Sequence, residues 1–208
     1  MDDAAFDRAL IAAALALAAD KGWRQVSVAA AAQAAGLDPA RARERFAGRG
    51  AILLRLGRIA DQAALAAAPA EGSVKDRLFD LLMRRIDVLQ AHRAGVLALM
   101  RAVPAEPPTA LLLTCATRRS MRWMLEAAGV SAHGVRGELR VKGLVLVWLW
   151  AVRAWQNDES ADLSGTMAAL DAALARAEQA AGMLGWRRGV EAPQQEPPAG
   201  EGDAPLPT

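Results

Sequence analysis

The side chains able to do covalent chemistry are few in this chain, and their spacing argues against catalysis. His92 and His133 are the only histidines. Neither has a carboxylate at helical spacing, and there is no H-E-x-x-H pair to hold zinc over a general base. Both are read as surface or capping groups. Cys115 is the single cysteine. It excludes an internal disulfide and a cysteine-cluster metal site, and is expected to be a small buried hydrophobe. The acidic run "NDESADL" (157–163) lacks the alternating ligand pattern of a calcium loop and reads as an interhelical turn with an N-cap. No tyrosine is present, and no glycine-rich phosphate loop. No enzyme, metal or cofactor chemistry is expected.

What remains is basic and apolar chemistry. The segment "GLDPARARERF" (36–46) has a turn glycine, Asp38 as a helix N-cap and Pro39 at the first helical position. Arg41, Arg43 and Arg45 follow, with Arg49 just beyond. Residues 20–60 hold eight basic and three acidic residues, which suits DNA phosphates or an anionic bilayer surface. The last twenty residues are acidic, so the formal charge of +2 understates the basic character of the rest. Arginine can still pair bidentately with guanine, but the segment has no Asn, Gln, Ser or Thr to read other base edges.

These residues need elements to position them. With 208 residues, 53% hydrophobic and 23% charged, the chain can bury a good core. Alanine-rich composition and scarce β-branched runs predict an all-α fold. Helices are expected over 4–21, 28–35 and 38–46, with a fourth from about Ala51: a helix-turn-helix domain in residues 1–50. Residues 51–188 are expected to form a larger helical domain. Leu78, Leu82, Ile86 and Leu89 make one stripe, and "PAEPP" (104–108) is a loop before a helix over 109–128. Glycines 129, 134 and 137 mark a loop. Residues 138–156 follow, apolar nearly all round between Gly143 and Val152 and so expected to be a central buried helix. Leu163, Met167, Leu170, Leu174 and Leu184 share a face of the last helix. Residues 189–208 read as a disordered acidic Pro/Gly-rich tail. The longest apolar run, 143–152, is about half of the ~20 residues a membrane span needs, and no secretory signal opens the chain. A cytoplasmic protein is expected.

Trp123, Trp148, Trp150 and Trp155, with Met121 and Met124, offer more apolar surface than a small bundle needs. Part of it is expected to face a ligand, a partner subunit or lipid.

Residues 13–53, "AALALAADKGWRQVSVAAAAQAAGLDPARARERFAGRGAIL", resemble the TetR family of one-component regulators. The agreement lies in "ADKGW", Ser27-Val28, the "AAG" turn and Phe46. It fails where that family contacts DNA: Asp38 stands for a Ser or Thr, Arg43 and Arg45 for a tyrosine pair, and Arg49 for a lysine. The segments 76–100, 120–129 and 140–178, with "WQNDESADLSGTM" the most specific piece, resemble the family of the ninth coenzyme Q biosynthesis protein.

The second resemblance implies a TetR-like fold turned to isoprenoid lipid binding. It implies a non-enzymatic accessory of ubiquinone biosynthesis that presents quinone intermediates to a di-iron hydroxylase. Eukaryotic members carry a presequence and a membrane-pressing final helix; here a weak stub of Met183, Leu184 and Trp186 beside Arg187 and Arg188 stands in for that helix. Membrane contact is therefore expected to be weak and peripheral, at the inner membrane. The expected lipid-binding residues are Leu82, Ile86, Leu99, Met121, Met124, Leu144, Trp148 and Trp155, with segments 120–129 and 140–156 as the partner face. The TetR resemblance implies a homodimer through the last two helices. Arg41, Arg43, Arg45 and Arg49 are expected to form a basic surface for DNA or an anionic interface, DNA ranking second. The alternative is a DNA-binding TetR-family regulator sensing a small hydrophobic ligand.

Overall fold

The computed structural model describes residues 1–66 and 72–183. Among them are nine α-helices and two short 3-10 turns, with no strand. The expected tail over 189–208, and Leu184, Trp186, Arg187 and Arg188 of the stub, lie outside the described residues.

The first helix, α1 (Asp3–Lys21), starts on an N-cap in which the Asp2 carboxylate accepts from the Ala5 amide at 2.6 Å. It buries Phe6, Leu10, Ile11, Ala14, Leu15 and Ala18 along one stripe and ends at Gly22, whose φ of 84° only glycine adopts cheaply. After a 3-10 turn at Trp23–Gln25, Ser27 caps α2 (Val28–Ala34) through the Ala30 amide. Gly36, at φ 61°, makes the turn. Asp38 then accepts from the amides of Ala40 and Arg41, both at 3.1 Å, and Pro39 opens α3 (Pro39–Arg45). The expected helix-turn-helix is thus built by the capping residues that the sequence displays.

The long helix α4 (Arg49–Ala66) leads into the second region; Gly50 sits inside its first turn rather than before it. Then follow α5 (Val74–Gln90), with a Ser73/Asp76 capping box, and α6 (Arg93–Ala102). The "PAEPP" segment is shorter as a loop than expected. A 3-10 turn takes Val103–Ala105, and Pro107 and Pro108 open α7 (Pro107–Ala127), because a first turn has no use for their missing amides. The glycine loop is also shorter: α8 (Gly134–Asn157) begins at Gly134 and contains Gly137, where a Cβ would lie 2.2 Å from the Ala132 carbonyl carbon.

Helix α8 is not buried all round. Val141, Leu144, Val147, Trp148, Ala151, Val152 and Trp155 face inward, whereas Leu146, Leu149 and Trp150 are more than half exposed. Its apolar circumference supplies a core face and a second, outward apolar stripe. The acidic turn behaves as expected of a cap. Asp158 accepts from the amide and hydroxyl of both Ser160 and Thr166, and those donors hold its carboxyl well below the usual range. Leu163, at φ 56°, precedes α9 (Ser164–Met183).

Helix α1 packs on α2 and on α6, where a Cβ at Gly95 would lie 2.3 Å from the Leu15 carbonyl oxygen, so only glycine lets the two backbones meet. Helix α4 packs on α5 and α7, and α8 on α9. A buried polar knot ties this second layer. Arg85 of α5 is ion-paired to Asp61 of α4 and lies 4.9 Å over the Trp148 ring of α8, while Ser120 of α7 donates to Asp61 at 2.6 Å. Burial pushes the Arg85 guanidinium down to about 10, which leaves it charged at neutral pH.

Candidate ligand cleft and helix-turn-helix face

A cleft of about 520 Å³ opens between α5, the end of α7, α8 and α9. Leu78, Leu125, Val130, Leu144, Val147 and Leu174 form its apolar walls. Space exists because the intervening positions are small: Gly129, Gly143, Ala177, Ala180 and Ala181. A Cβ added at Gly143 meets nothing within 4 Å. Lys75, Arg140, Lys142 and Glu178 provide the charged lining, with Lys75 held by Asp171 at 2.6 Å. Leu139 and Leu146, which belong to the outward stripe of α8, also line it, so cleft and stripe are continuous.

Of the eight expected lipid-binding residues, Leu144 alone lines this cleft. Leu82, Ile86, Met121, Met124 and Trp155 are fully buried core, and Leu99 and Trp148 are 5% exposed. Trp155 is fixed there by a bond from its Nε1 to Gln90 at 2.8 Å and by Arg93 stacked 4.8 Å over its ring. Trp123 and Trp150, in contrast, are exposed. Cys115 is exposed rather than buried, because it sits on the outer face of α7. His92 stands at the start of α6, where partial burial pushes its imidazole below the ordinary value; His133 is exposed before α8. Among the described residues, no group of His, Cys, Asp and Glu could hold a metal ion, and no single helix is long and apolar enough to cross a bilayer.

Most arginines of the expected basic surface are paired with acids of the same molecule. Arg45 grips the buried carboxylate of Asp7 with two hydrogen bonds, 2.7 and 2.9 Å, and reaches Asp3 at 2.6 Å. Arg41 also binds Asp3, and Arg55 of α4 lies 3.1 Å from Asp7. The two arginines hold the Asp3 carboxyl below its usual range. Arg49 pairs with Glu106 at 3.1 Å. Only Arg43 points away, its guanidinium donating to the Ala47 carbonyl. Exposed from 38 to 47 are Asp38, Pro39, Ala40, Arg43, Glu44 and Ala47, with the side chains of Arg41 and Arg49 35% and 38% exposed beside them and engaged by acids. Sequence reading missed the acids that neutralise these arginines, since Asp7 and Glu106 lie dozens of residues away.

Helix α7 separates the two features. Glu106 at its start touches the helix-turn-helix side, and Leu125 at its other end lines the cleft. Its 21 residues place these ends ~30 Å apart.

No protein-family model and no curated protein matches the chain. Solved structures do. A TetR transcriptional regulator from Nitrosomonas europaea is similar with a TM-score of 0.68 at 20% identity, over 84% of this chain and 99% of that one. A TetR-family transcriptional regulator from Streptomyces coelicolor is similar with a TM-score of 0.60 at 23% identity, over 89% and 87%. The chain has the all-α TetR-like fold, with an N-terminal helix-turn-helix followed by a larger helical bundle.

Proposed function

We propose that this protein is a non-enzymatic binder of an elongated apolar molecule, held in the cleft between α5, α7, α8 and α9. The observation that carries the reading is the cleft itself: apolar walls around space left by Gly129, Gly143 and the alanines of α9. Its volume falls in the range usual for small-molecule sites. Each Å² of hydrocarbon buried there stabilises the complex by ~25 cal/mol, so a chain-like ligand gains most from filling its length.

The resemblance to the coenzyme Q family would make the ligand an isoprenoid quinone intermediate. The partner would then be the di-iron hydroxylase, approached through 120–129 and 140–156. The exposed stripe of Leu139, Leu146, Leu149 and Trp150, continuous with the cleft, supports a docking role for α8. We assign this stripe first to a second copy of the chain, with α8 and α9 as the dimer helices. Wild-type protein is then expected to sediment as a dimer at micromolar concentration and Leu146→Glu as a monomer. A monomeric wild type would contradict the assignment.

A second reading is a DNA-binding regulator that senses the same ligand. The comparisons favour it, because both structural neighbours bear the name of transcriptional regulators. The pairing of Arg41, Arg45 and Arg49 with acids of the same molecule favours the first reading. Mass spectrometry of a solvent extract of the purified protein, with a screen for duplex binding, separates them. The expected result is an apolar species and no sequence-specific duplex. A clean extract with one preferred duplex and a steep salt dependence would overturn the reading.

A further inference from the structure

Glu106 is an acid whose placement neither the cleft nor the helix-turn-helix explains. It occupies the N-cap position of α7, yet its carboxylate makes no capping bond to that helix. It is instead turned across the domain boundary and is nine-tenths buried. One oxygen lies 3.1 Å from Arg49 at the start of α4, the other 3.7 Å from Arg24. Thr109 steadies it with a hydroxyl bond of 2.9 Å, Arg24 also donates to the Ala105 carbonyl, and Arg49 to the Arg24 carbonyl. Two arginines converging on two oxygens is the arrangement by which proteins hold a phosphate. Both cations retain exposed surface, 63% for Arg24 and 38% for Arg49. Arg49 stands directly beyond the second helix of the helix-turn-helix, the helix that in such motifs lies in the major groove.

We infer that Glu106 is a built-in phosphate surrogate: an autoinhibitory contact that occupies Arg24 and Arg49 and so masks a phosphate-binding surface for duplex DNA. A duplex is favoured over a membrane because the pair adjoins a helix-turn-helix and lies ~30 Å along α7 from Leu125 in the cleft wall. The masking does not depend on the cleft being able to hold a ligand, so the two ideas fail separately.

The test is anisotropy titration of a fluorescent duplex of arbitrary sequence across a salt series, with the full chain. Glu106→Gln keeps the shape and removes the charge. It is expected to tighten binding by roughly tenfold or more at low salt. It should also steepen the plot of log affinity against log salt by up to ~1.8, or 0.9 for each freed arginine that meets a phosphate. Adding Arg24→Ala and Arg49→Ala together should remove that gain. Binding like wild type, a gain that survives the two arginine substitutions, or a gain on phosphatidylglycerol vesicles without one on duplex would each overturn the inference. Should Glu106→Gln fail to fold, Arg49→Ala in the wild-type background decides. A masked arginine contributes nothing, so duplex affinity and salt slope are expected to stay unchanged, and a drop in either would overturn it.

Discussion

Asp7→Ala is expected to destabilise the protein by ~3 kcal/mol, at the lower end of the cost of breaking a buried ion pair. The carboxylate is 4% exposed and serves two arginines from different helices, Arg45 of α3 and Arg55 of α4. Removing it strands both charges in a site shaped for an anion. The loss is held at the lower end because Arg45 and Arg55 are 19% and 31% exposed and Asp3 still reaches Arg45. Denaturant unfolding should show a lower midpoint at an unchanged slope. Asp7→Asn, which keeps the volume and some hydrogen bonding, should fall between. A loss under about 1 kcal/mol would mean that the arginines resolvate freely and that α3 is not fixed to α1 by this knot. The consequence is functional: while the knot stands, Arg45 and Arg55 are withheld from any external anion.

Gly143→Leu should have the opposite effect on stability and the larger one on binding. The position is mid-helix in α8, where glycine costs ~1 kcal/mol relative to a good helix former. Nothing lies within 4 Å of an added Cβ and the position lines the cleft, so the leucine is expected to extend into that space. It takes the space of at least two methylene units of ligand, at ~0.8 kcal/mol each. That is about a tenfold loss of affinity or more for a long-chain apolar probe. The expected outcome is a raised Tm with weakened binding, read by calorimetry and by titration of the same preparation. Unchanged affinity would place the ligand elsewhere.

The helices were legible because local physics writes them. Ser27 and Asp38 cap where their side chains alone require it, and Gly36 turns where φ must be positive. The apolar periodicity of α5 and α9 located their inward faces in the same way. The two sites were less legible, for different reasons. The arginines of α3 look free in sequence, since their partners are 38 residues away for Arg45 and Asp7, and Glu106 is further still from Arg49. Nothing local encodes such pairing. The cleft was sought among the largest apolar side chains, and those residues are where the core is full. Tightly packed interiors are filled by Trp155, Met121 and Leu82, while empty space lies where side chains are small. The signal that would have pointed to it was the run of small residues facing one another, Gly129, Gly143, Ala177 and Ala181, beside Leu144. Likewise α8 was expected to be a central buried helix with part of its apolar surface turned outward, but which stripe faces out was not legible, because the outward stripe is as apolar as the core face.

The most direct test of the account is quantitative mass spectrometry of the lipid extracted from purified wild type and Gly143→Leu, side by side. The account predicts an elongated apolar species near one per protomer in the wild type, and a marked depletion in the folded variant. An extract free of such a species, or one equally loaded in both proteins, would contradict the assignment of the cleft as the binding site.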